Sequence, residues 1–327
     1  EWWRCRYFHN DKRPLSGGHS GCFWQDLHWE VFENLKICMK KLLLPLLLMA
    51  VSLSAQPDIQ WAKSIGGSNH EEAKSIQQTI DGGFIVAGIT LSNNGDVSGN
   101  QGVSDYWVVK LNNLGVIEWQ KTYGGTNHDR AYSIAQTKDG GYIVAGQTES
   151  DDGDISGFHG DKDSWVLKLS DVGAIEWQKS LGGVFWDQAW SIRQTFDGGF
   201  IVAGHSRSNS GDVTGNHGGL DYWVVKLTES GSIEWQKSLG GSLNDFSYSV
   251  HQTLDGGYIV AGEVDSNNGD VTGVHGNTDY WVVKLDSSGI IQWQKALGGS
   301  SLDRANDITP TSDGGYIVVG IASSNNG

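Results

Sequence analysis

Aspartate and histidine side chains recur at a fixed interval along this chain, and they are the first residues to consider for chemistry. Loops of the type SNNGDVSG repeat every 58 residues. Their aspartates are Asp96, Asp154, Asp212 and Asp270. Three of the loops also carry a histidine, namely His159, His217 and His275. Oxygen-rich loops suit a hard cation that takes six to eight oxygen ligands. Calcium is therefore the one candidate cofactor, with the four aspartates as its candidate ligands.

An alternative interpretation of these loops needs no ion. Asn, Asp, Ser and Gly also stabilise turns through side chain–backbone hydrogen bonds. The position two residues before each aspartate varies in charge, since it holds Asn94, Asp152, Ser210 or Asn268. Turn capping tolerates such variation, whereas a strong metal site tolerates it less readily. The spacing also differs from that of an EF-hand. The histidines are predicted to lie far apart, one per repeat, with Gln101 in the first. They are candidates for ligand binding rather than for a shared metal or acid–base site.

Tryptophan is the other residue type that could bind a ligand, through its flat apolar face. Most tryptophans recur once per repeat within predicted strands, which favours a role in core packing. Trp186 and Trp190 differ, because they lie in the segment VFWDQAW, where other repeats have small polar residues before the strand. A local departure with exposed aromatic residues is a binding signal, although covering a junction between repeats is the alternative. Trp186 and Trp190 are thus candidate ligand-binding residues.

The repeat itself is the strongest feature of the sequence. One tryptophan column recurs at intervals of 58 residues: Trp61, Trp119, Trp177, Trp235 and Trp293. The strings EWQKSLGG, DGGYIVAG and DYWVVKL return in the same register, with four complete units and part of a fifth. A period near 50 residues indicates a solenoid, a propeller or an array.

Each unit is predicted to contain four short strands. In the second unit they are 131–137, 141–148, 163–169 and 175–180, bounded by Gly, Asn and Asp. A β-helix coil would be much shorter, and β-sandwich modules would need more strands and a linker. The prediction is an all-β chain, a β-propeller of four-stranded antiparallel blades that is incomplete at its C-terminus. Its loops between second and third strands and between blades would share one face. Lysines of the WVVKL strings are predicted to pair with strand-end aspartates.

The N-terminal region has a different character, and we divide the chain into three parts. Residues 1–38 are interpreted as upstream translation that precedes the natural start at Met39. Residues 39–55 contain two lysines, an apolar run too short to span a membrane, and small residues for cleavage, which predicts a secretory signal peptide. Residues 56–327 hold the repeats. The protein is therefore expected to be secreted or attached to the cell surface, without a transmembrane segment in its mature form.

Charge and cysteine content exclude several classes of function. The net charge is −15, which argues against a nucleic-acid-binding surface. All three cysteines precede residue 39, so the mature chain would have no disulfide, no Cys-ligated zinc and no Cys nucleophile. We expect a monomer.

The repeat strings resemble those of secreted tandem-repeat propeller proteins of Bacteroidetes, over residues 59–327. Those proteins often end in a type IX secretion sorting domain. The resemblance implies an exported, cell-surface propeller and little about activity. The DGG hairpin is also distantly similar to the Asp-box of sialidase-type propellers, without its closing Trp, and no catalytic residue is transferred from it.

Two functions follow as hypotheses. The nearly equal repeats favour a binding, adhesion or scaffold module for an extracellular glycan or protein, because catalysis needs a unique constellation in one place. The alternative is a secreted polysaccharide hydrolase or lyase with its site on the loop face. A carboxylate pair or an arginine cluster near the axis would favour the enzyme. No catalytic residue is assigned, and an enzyme is the less favoured hypothesis.

Overall fold

The computed structural model describes residues 3–8 and 59–325, which contain strands and turns. The chain divides into two compact units, Glu1–Asn10 with Lys63–Gly327, and Asp11–Ala62. The second unit is described only at residues 59–62. The predicted signal peptide and most of residues 1–38 lie outside the described residues. Within the described ranges, no helix has the length and apolarity to cross a membrane.

The strands of the described residues follow one another in a regular series. In chain order they are β1 (Trp3–Phe8), β2 (Glu71–Gln78), β3 (Phe84–Thr90), β4 (Asp105–Leu111), β5 (Ile117–Tyr123), β6 (Asp129–Gln136), β7 (Tyr142–Thr148), β8 (Asp163–Leu169), β9 (Ile175–Leu181), β10 (Asp187–Gln194), β11 (Phe200–Ser206), β12 (Asp221–Leu227), β13 (Ile233–Leu239), β14 (Asp245–Gln252), β15 (Tyr258–Val264), β16 (Asp279–Leu285), β17 (Ile291–Leu297), β18 (Asp303–Pro310) and β19 (Tyr316–Ala322).

These strands form five antiparallel sheets, which we number along the chain. The first four have the strand orders β2-β3-β4-β5, β6-β7-β8-β9, β10-β11-β12-β13 and β14-β15-β16-β17. The fifth has the order β1-β19-β18, so residues 3–8 of the segment interpreted as upstream translation pair with β19. The strands predicted for the second unit are confirmed, each bound within two residues of the observed one.

Successive sheets bury their apolar faces against each other. Between the first and second sheets, Tyr106 and Val108 pack with Trp165 and Leu167, all fully buried. Similar clusters join the second sheet to the third, the third to the fourth and the fourth to the fifth. The first strands of the sheets, β2, β6, β10, β14 and β18, contact one another in succession and form the innermost layer. The fold is a β-propeller, and the predicted fold class is confirmed.

The DGG turn joins the first two strands of each blade, and its geometry explains why the same three residues recur there. In the second blade, Gly140 has φ of 89°, a conformation that glycine adopts without steric cost. Next to it, a Cβ on Gly141 would lie 2.3 Å from the carbonyl oxygen of Leu169, so glycine is also required there. The turn aspartate Asp139 holds the buried Lys168, with 2.8 Å between Nζ and Oδ2. The WVVKL lysines therefore pair with aspartates, as predicted, but these aspartates belong to the DGG turns rather than to strand ends.

Candidate functional site

The loop aspartates Asp96, Asp154, Asp212 and Asp270 all make the same contact. In the second blade, Asp154 accepts a hydrogen bond from the Gly124 N–H at Oδ2 (3.2 Å), and its own N–H donates to the Gly124 carbonyl (3.0 Å). Asp96, Asp212 and Asp270 repeat both bonds with Gly66, Gly182 and Gly240. Each aspartate therefore ties its loop to the segment that leads into the first strand of the same blade.

The neighbouring variable position acts as a turn cap, as the second interpretation of these loops proposed. Asn94, Asp152, Ser210 and Asn268 each accept a backbone N–H from the same leading segment through a side-chain oxygen. Asn, Asp and Ser share this acceptor, which explains why charge varies at this position. No group of three or more His, Cys, Asp or Glu side chains suited to hold a metal occurs among residues 3–8 and 59–325. Calcium binding stays a prediction.

The three loop histidines each face an aspartate of their own blade rather than one another. His159 Nδ1 lies 2.8 Å from Asp163 Oδ2, His217 Nδ1 lies 2.7 Å from Asp221 Oδ2, and His275 Nδ1 lies 3.0 Å from Asp279 Oδ2. The aspartates are fully buried, whereas the imidazoles are partly exposed. This pairing places the histidines at separate blade junctions, where each one supplies a partner to a carboxylate that has left water.

The buried aspartates also approach the next blade. Asp105 Oδ1 and Asp129 Oδ2 lie 2.5 and 2.8 Å from the position that a Cβ on Gly124 would occupy. Burial raises the pKa of Asp105 to about 7, and the negative charges of Asp129 and Asp154 add to the effect. In the third blade, burial likewise raises the pKa of Asp221 to about 6, against the lowering effect of His217. These carboxyl groups therefore favour the protonated form more than an exposed aspartate does.

Trp186 packs at a blade junction. Its ring lies 5.0 Å from that of His205 in an edge-on contact, and Lys162 Nζ lies 5.5 Å from its centroid. Phe185, which precedes it, is 53% exposed. These contacts agree with the alternative that Trp186 covers a junction between repeats. Ligand binding by Trp186 stays a prediction.

His205 is fully buried between Trp186 and Phe246, and neither ring nitrogen has a hydrogen-bond partner among the described residues. This burial lowers the pKa of His205 to about 3. The unfolded chain binds a proton at this site below about pH 6.5, and the folded chain does not. Stability conferred by the neutral ring is therefore complete above pH 6.5 and is lost as the pH falls towards 3.

We expect His205→Leu to remove this acid sensitivity. Between pH 6.5 and 4.5, the free energy of unfolding of the wild type should fall relative to the variant by up to about 1.4 kcal/mol per pH unit. Urea titrations at pH 7.0, 6.0 and 5.0 measure the difference. His70→Leu is the control, since its side chain is 68% exposed, and it should keep the pH profile of the wild type. Parallel pH profiles for wild type and His205→Leu would contradict the expectation.

A pocket at the axis of the propeller collects one residue from each innermost strand. The register of each of these strands shifts at a β-bulge, and the bulge residues are Lys74, Tyr132, Trp190, Tyr248 and Asn306. A bulge leaves its residue out of the ladder and redirects its side chain. These five residues and Arg304 line a pocket of about 450 Å³, which we call the central pocket.

The aromatic residues of the central pocket form a continuous row. The ring centroids of Tyr132 and Trp190 are 4.3 Å apart, and those of Trp190 and Tyr248 are 5.4 Å apart. A cation lies over each outer ring, with Lys74 Nζ 5.9 Å from the Tyr132 centroid and the Arg304 guanidinium 5.6 Å from that of Tyr248. The pocket thus offers an aromatic lining with positive charge at both ends, and its volume falls within the range of small-ligand sites.

Of the two tryptophans singled out in the sequence, the structure places Trp190 in this pocket and Trp186 outside its lining. The sequence analysis missed Lys74, Tyr132, Tyr248, Asn306 and Arg304. A signal for most of them was present: the second, fourth and seventh positions of these strands vary between repeats, and the fourth reads Lys, Tyr, Trp, Tyr, Asn. Such variation inside a repeat is expected where folding does not fix the residue.

Comparisons with known proteins add little to this site. No protein-family model matches the chain. The chain is 22% identical over 223 residues to the regulatory protein FlaEY of Caulobacter vibrioides, covering 63% of this chain and 23% of that protein. Similar solved structures include the Pan2 WD40 domain of Neurospora crassa (10% identity, TM-score 0.39, 78% of this chain and 91% of that one). Another is the xylan beta-1,4-xylosidase of Bacillus halodurans C-125 (12% identity, TM-score 0.38, 77% and 49%).

Proposed function

We propose that this protein is an exported binding module that takes an extracellular glycan or protein at the central pocket. The observation that carries the proposal is the contrast between repeated and unrepeated positions. Residues that close turns and fill the space between blades recur, whereas the bulge position carries five residues of four types that line one shared pocket. Loops and irregular positions on a rigid scaffold are common sites of binding.

The composition of the pocket favours binding over hydrolysis. Within the described residues, its lining consists of aromatic, basic and amide side chains and has no carboxylate. Glycoside hydrolysis ordinarily uses two carboxyl groups across the scissile bond. The hydrolase or lyase alternative therefore gains no support from this pocket.

Export rests on the lysine pair and apolar run of residues 39–55. Expression of the full chain in a secreting host, followed by N-terminal sequencing of the exported protein, tests export. A mature chain that begins near Gln56 is the expected result, and retention of residues 39–55 would contradict export.

An array of extracellular glycans and proteins first identifies a ligand of the wild type. Trp190→Ala should then weaken the affinity for this ligand at least about tenfold. The reason is that Trp190 provides the middle of the aromatic row. Trp190→Phe, which keeps a ring face, should retain most of the affinity. Isothermal titration calorimetry with the array ligand measures both.

Trp177→Ala is the matched control, because Trp177 is a half-buried tryptophan of β9 that does not line the pocket. It should bind as the wild type does. Equal affinities for the wild type and Trp190→Ala, with both proteins folded by circular dichroism, would place the ligand elsewhere and overturn the proposal.

A further inference from the structure

We infer that the ligand of the central pocket is an acidic glycan whose hexuronic acid units stack on the aromatic row and present their carboxylates to Arg304 and Lys74. This inference rests on the proposed function of the same pocket. It follows from three features: the shape of the row, the charges at its ends and the distribution of arginine in the protein.

The row suits a chain of sugar rings. The centroids of Tyr132, Trp190 and Tyr248 follow at steps of 4.3 and 5.4 Å, with interplanar angles of 32° and 77°, so the aromatic lining is longer than one ring and is angled rather than flat. Aromatic faces stack on the C–H faces of pyranose rings, and the phenol groups at either end can bond sugar hydroxyls. Trp190 Nε1 has no hydrogen-bond partner among the described residues, which leaves the indole held by ring contacts alone.

The ends of the row suit carboxylates. Arg304 donates its Nε–H to Asn306 Oδ1 (3.2 Å), and its positive charge also acts on the neighbouring Tyr248 and Glu263. Its remaining guanidinium N–H groups match the geometry of a carboxylate. At the other end, Lys74 already contacts Glu72 Oε1 at 2.5 Å, so we assign Arg304 the stronger contribution.

The distribution of arginine points to the same ligand charge. The protein has a net charge of −15, and residues 59–325 contain four arginines: Arg130, Arg193, Arg207 and Arg304. Three of them, Arg130, Arg193 and Arg304, lie on innermost strands. The nearest acidic groups are engaged, because Glu72 pairs with Lys74 and Glu263 accepts the Tyr248 hydroxyl at 2.7 Å. The innermost strands together hold more acidic than basic residues, but the described lining of the central pocket carries Lys74 and Arg304 and no carboxylate. A positively charged lining favours an anionic ligand there.

The test compares a tetramer of galacturonic acid with a neutral galactose tetramer by isothermal titration calorimetry on the full chain. The wild type should bind the acidic tetramer at least tenfold more tightly. Arg304→Gln should lower affinity for the acidic tetramer at least tenfold and leave that for the neutral tetramer within twofold. Lys74→Gln should have a smaller effect in the same direction. Arg207→Gln is the control: it removes an arginine that lies over Phe185 and outside the pocket lining, and it should leave both affinities unchanged.

The possible failures are distinguishable. Equal binding of the two tetramers, abolished by Trp190→Ala, would overturn the acidic ligand and leave the proposed function intact. If neither tetramer binds but an array ligand binds in a Trp190-dependent manner, the inference of an acidic glycan is overturned. The proposed function of the central pocket as a binding site would still stand. Loss of acidic binding in Arg207→Gln would show that net charge, not the pocket, is responsible. Far-ultraviolet circular dichroism spectra that match the wild type confirm that each variant is folded.

Discussion

Trp165→Ala is expected to lower the free energy of unfolding by about 3–5 kcal/mol, the range observed when large buried aromatic residues are truncated. Trp165 is fully buried and lies in the cluster that joins the first and second sheets. Its ring meets Tyr106 of the neighbouring blade at 4.7 Å, and its Nε1–H donates to Gln178 at 2.8 Å. The substitution leaves both a cavity and an unpaired amide oxygen.

Urea unfolding followed by far-ultraviolet circular dichroism measures this loss. Trp190→Ala is the control, since it removes the same side chain from the half-buried lining of the central pocket. We expect it to cost less than half as much. Equal losses for the two variants would show that packing between blades does not dominate stability, contrary to the clusters that join successive sheets.

Removing the counter-charges of a buried lysine is the second change that we expect to lower the free energy of unfolding strongly. Lys226 is 3% exposed, and its Nζ contacts Glu234 Oε2 at 2.5 Å, Asp197 Oδ2 at 3.0 Å and the Leu227 carbonyl at 3.1 Å. The double variant Asp197→Asn/Glu234→Gln leaves this ammonium without a counter-charge. Because an uncompensated buried charge is costly, we expect a loss of about 3–5 kcal/mol in unfolding free energy.

Two further variants isolate the charge effect. Lys226→Met removes the ammonium together with its requirement for a counter-charge, and it should cost less than half as much as the double variant. Glu234→Gln alone should be tolerated, because the fourth blade already pairs Lys284 with Gln292 and Asp255. A loss for Lys226→Met as large as that of the double variant would contradict this account. All four proteins are compared by urea titration at pH 7.

Much of the fold follows from local patterns. Alternating β-branched and aromatic residues between Gly, Asn and Asp turns predict each strand of the second unit to within two residues, since the turn chemistry acts over four residues or fewer. Lys168 near the end of β8 meets Asp139, in the turn that precedes β7, because the antiparallel pairing of β7 with β8 brings both to the same end of the sheet. The cap at Asn94, Asp152, Ser210 and Asn268 was predictable from the shared acceptor oxygen.

The histidines show where local reasoning becomes insufficient. The sequence places one histidine in each of three loops, and their pairing with Asp163, Asp221 and Asp279 requires the loop to fold back over four residues onto a buried strand end. The burial of His205 depends on Trp186 in the loop of its own blade and on Phe246 in the next blade, so its lowered pKa could not be predicted from local patterns.

The sequence by itself determined the strands, the turns and the repetition, because each depends on neighbours within one 58-residue unit. Only the tertiary structure decided which residues meet at the axis. Lys74, Tyr132, Trp190, Tyr248 and Asn306 come from five different units and converge because each is the bulge residue of an innermost strand and faces the same pocket. Contacts between distant units depend on how the sheets are arranged around the axis, and a pattern confined to one unit carries no information about that arrangement.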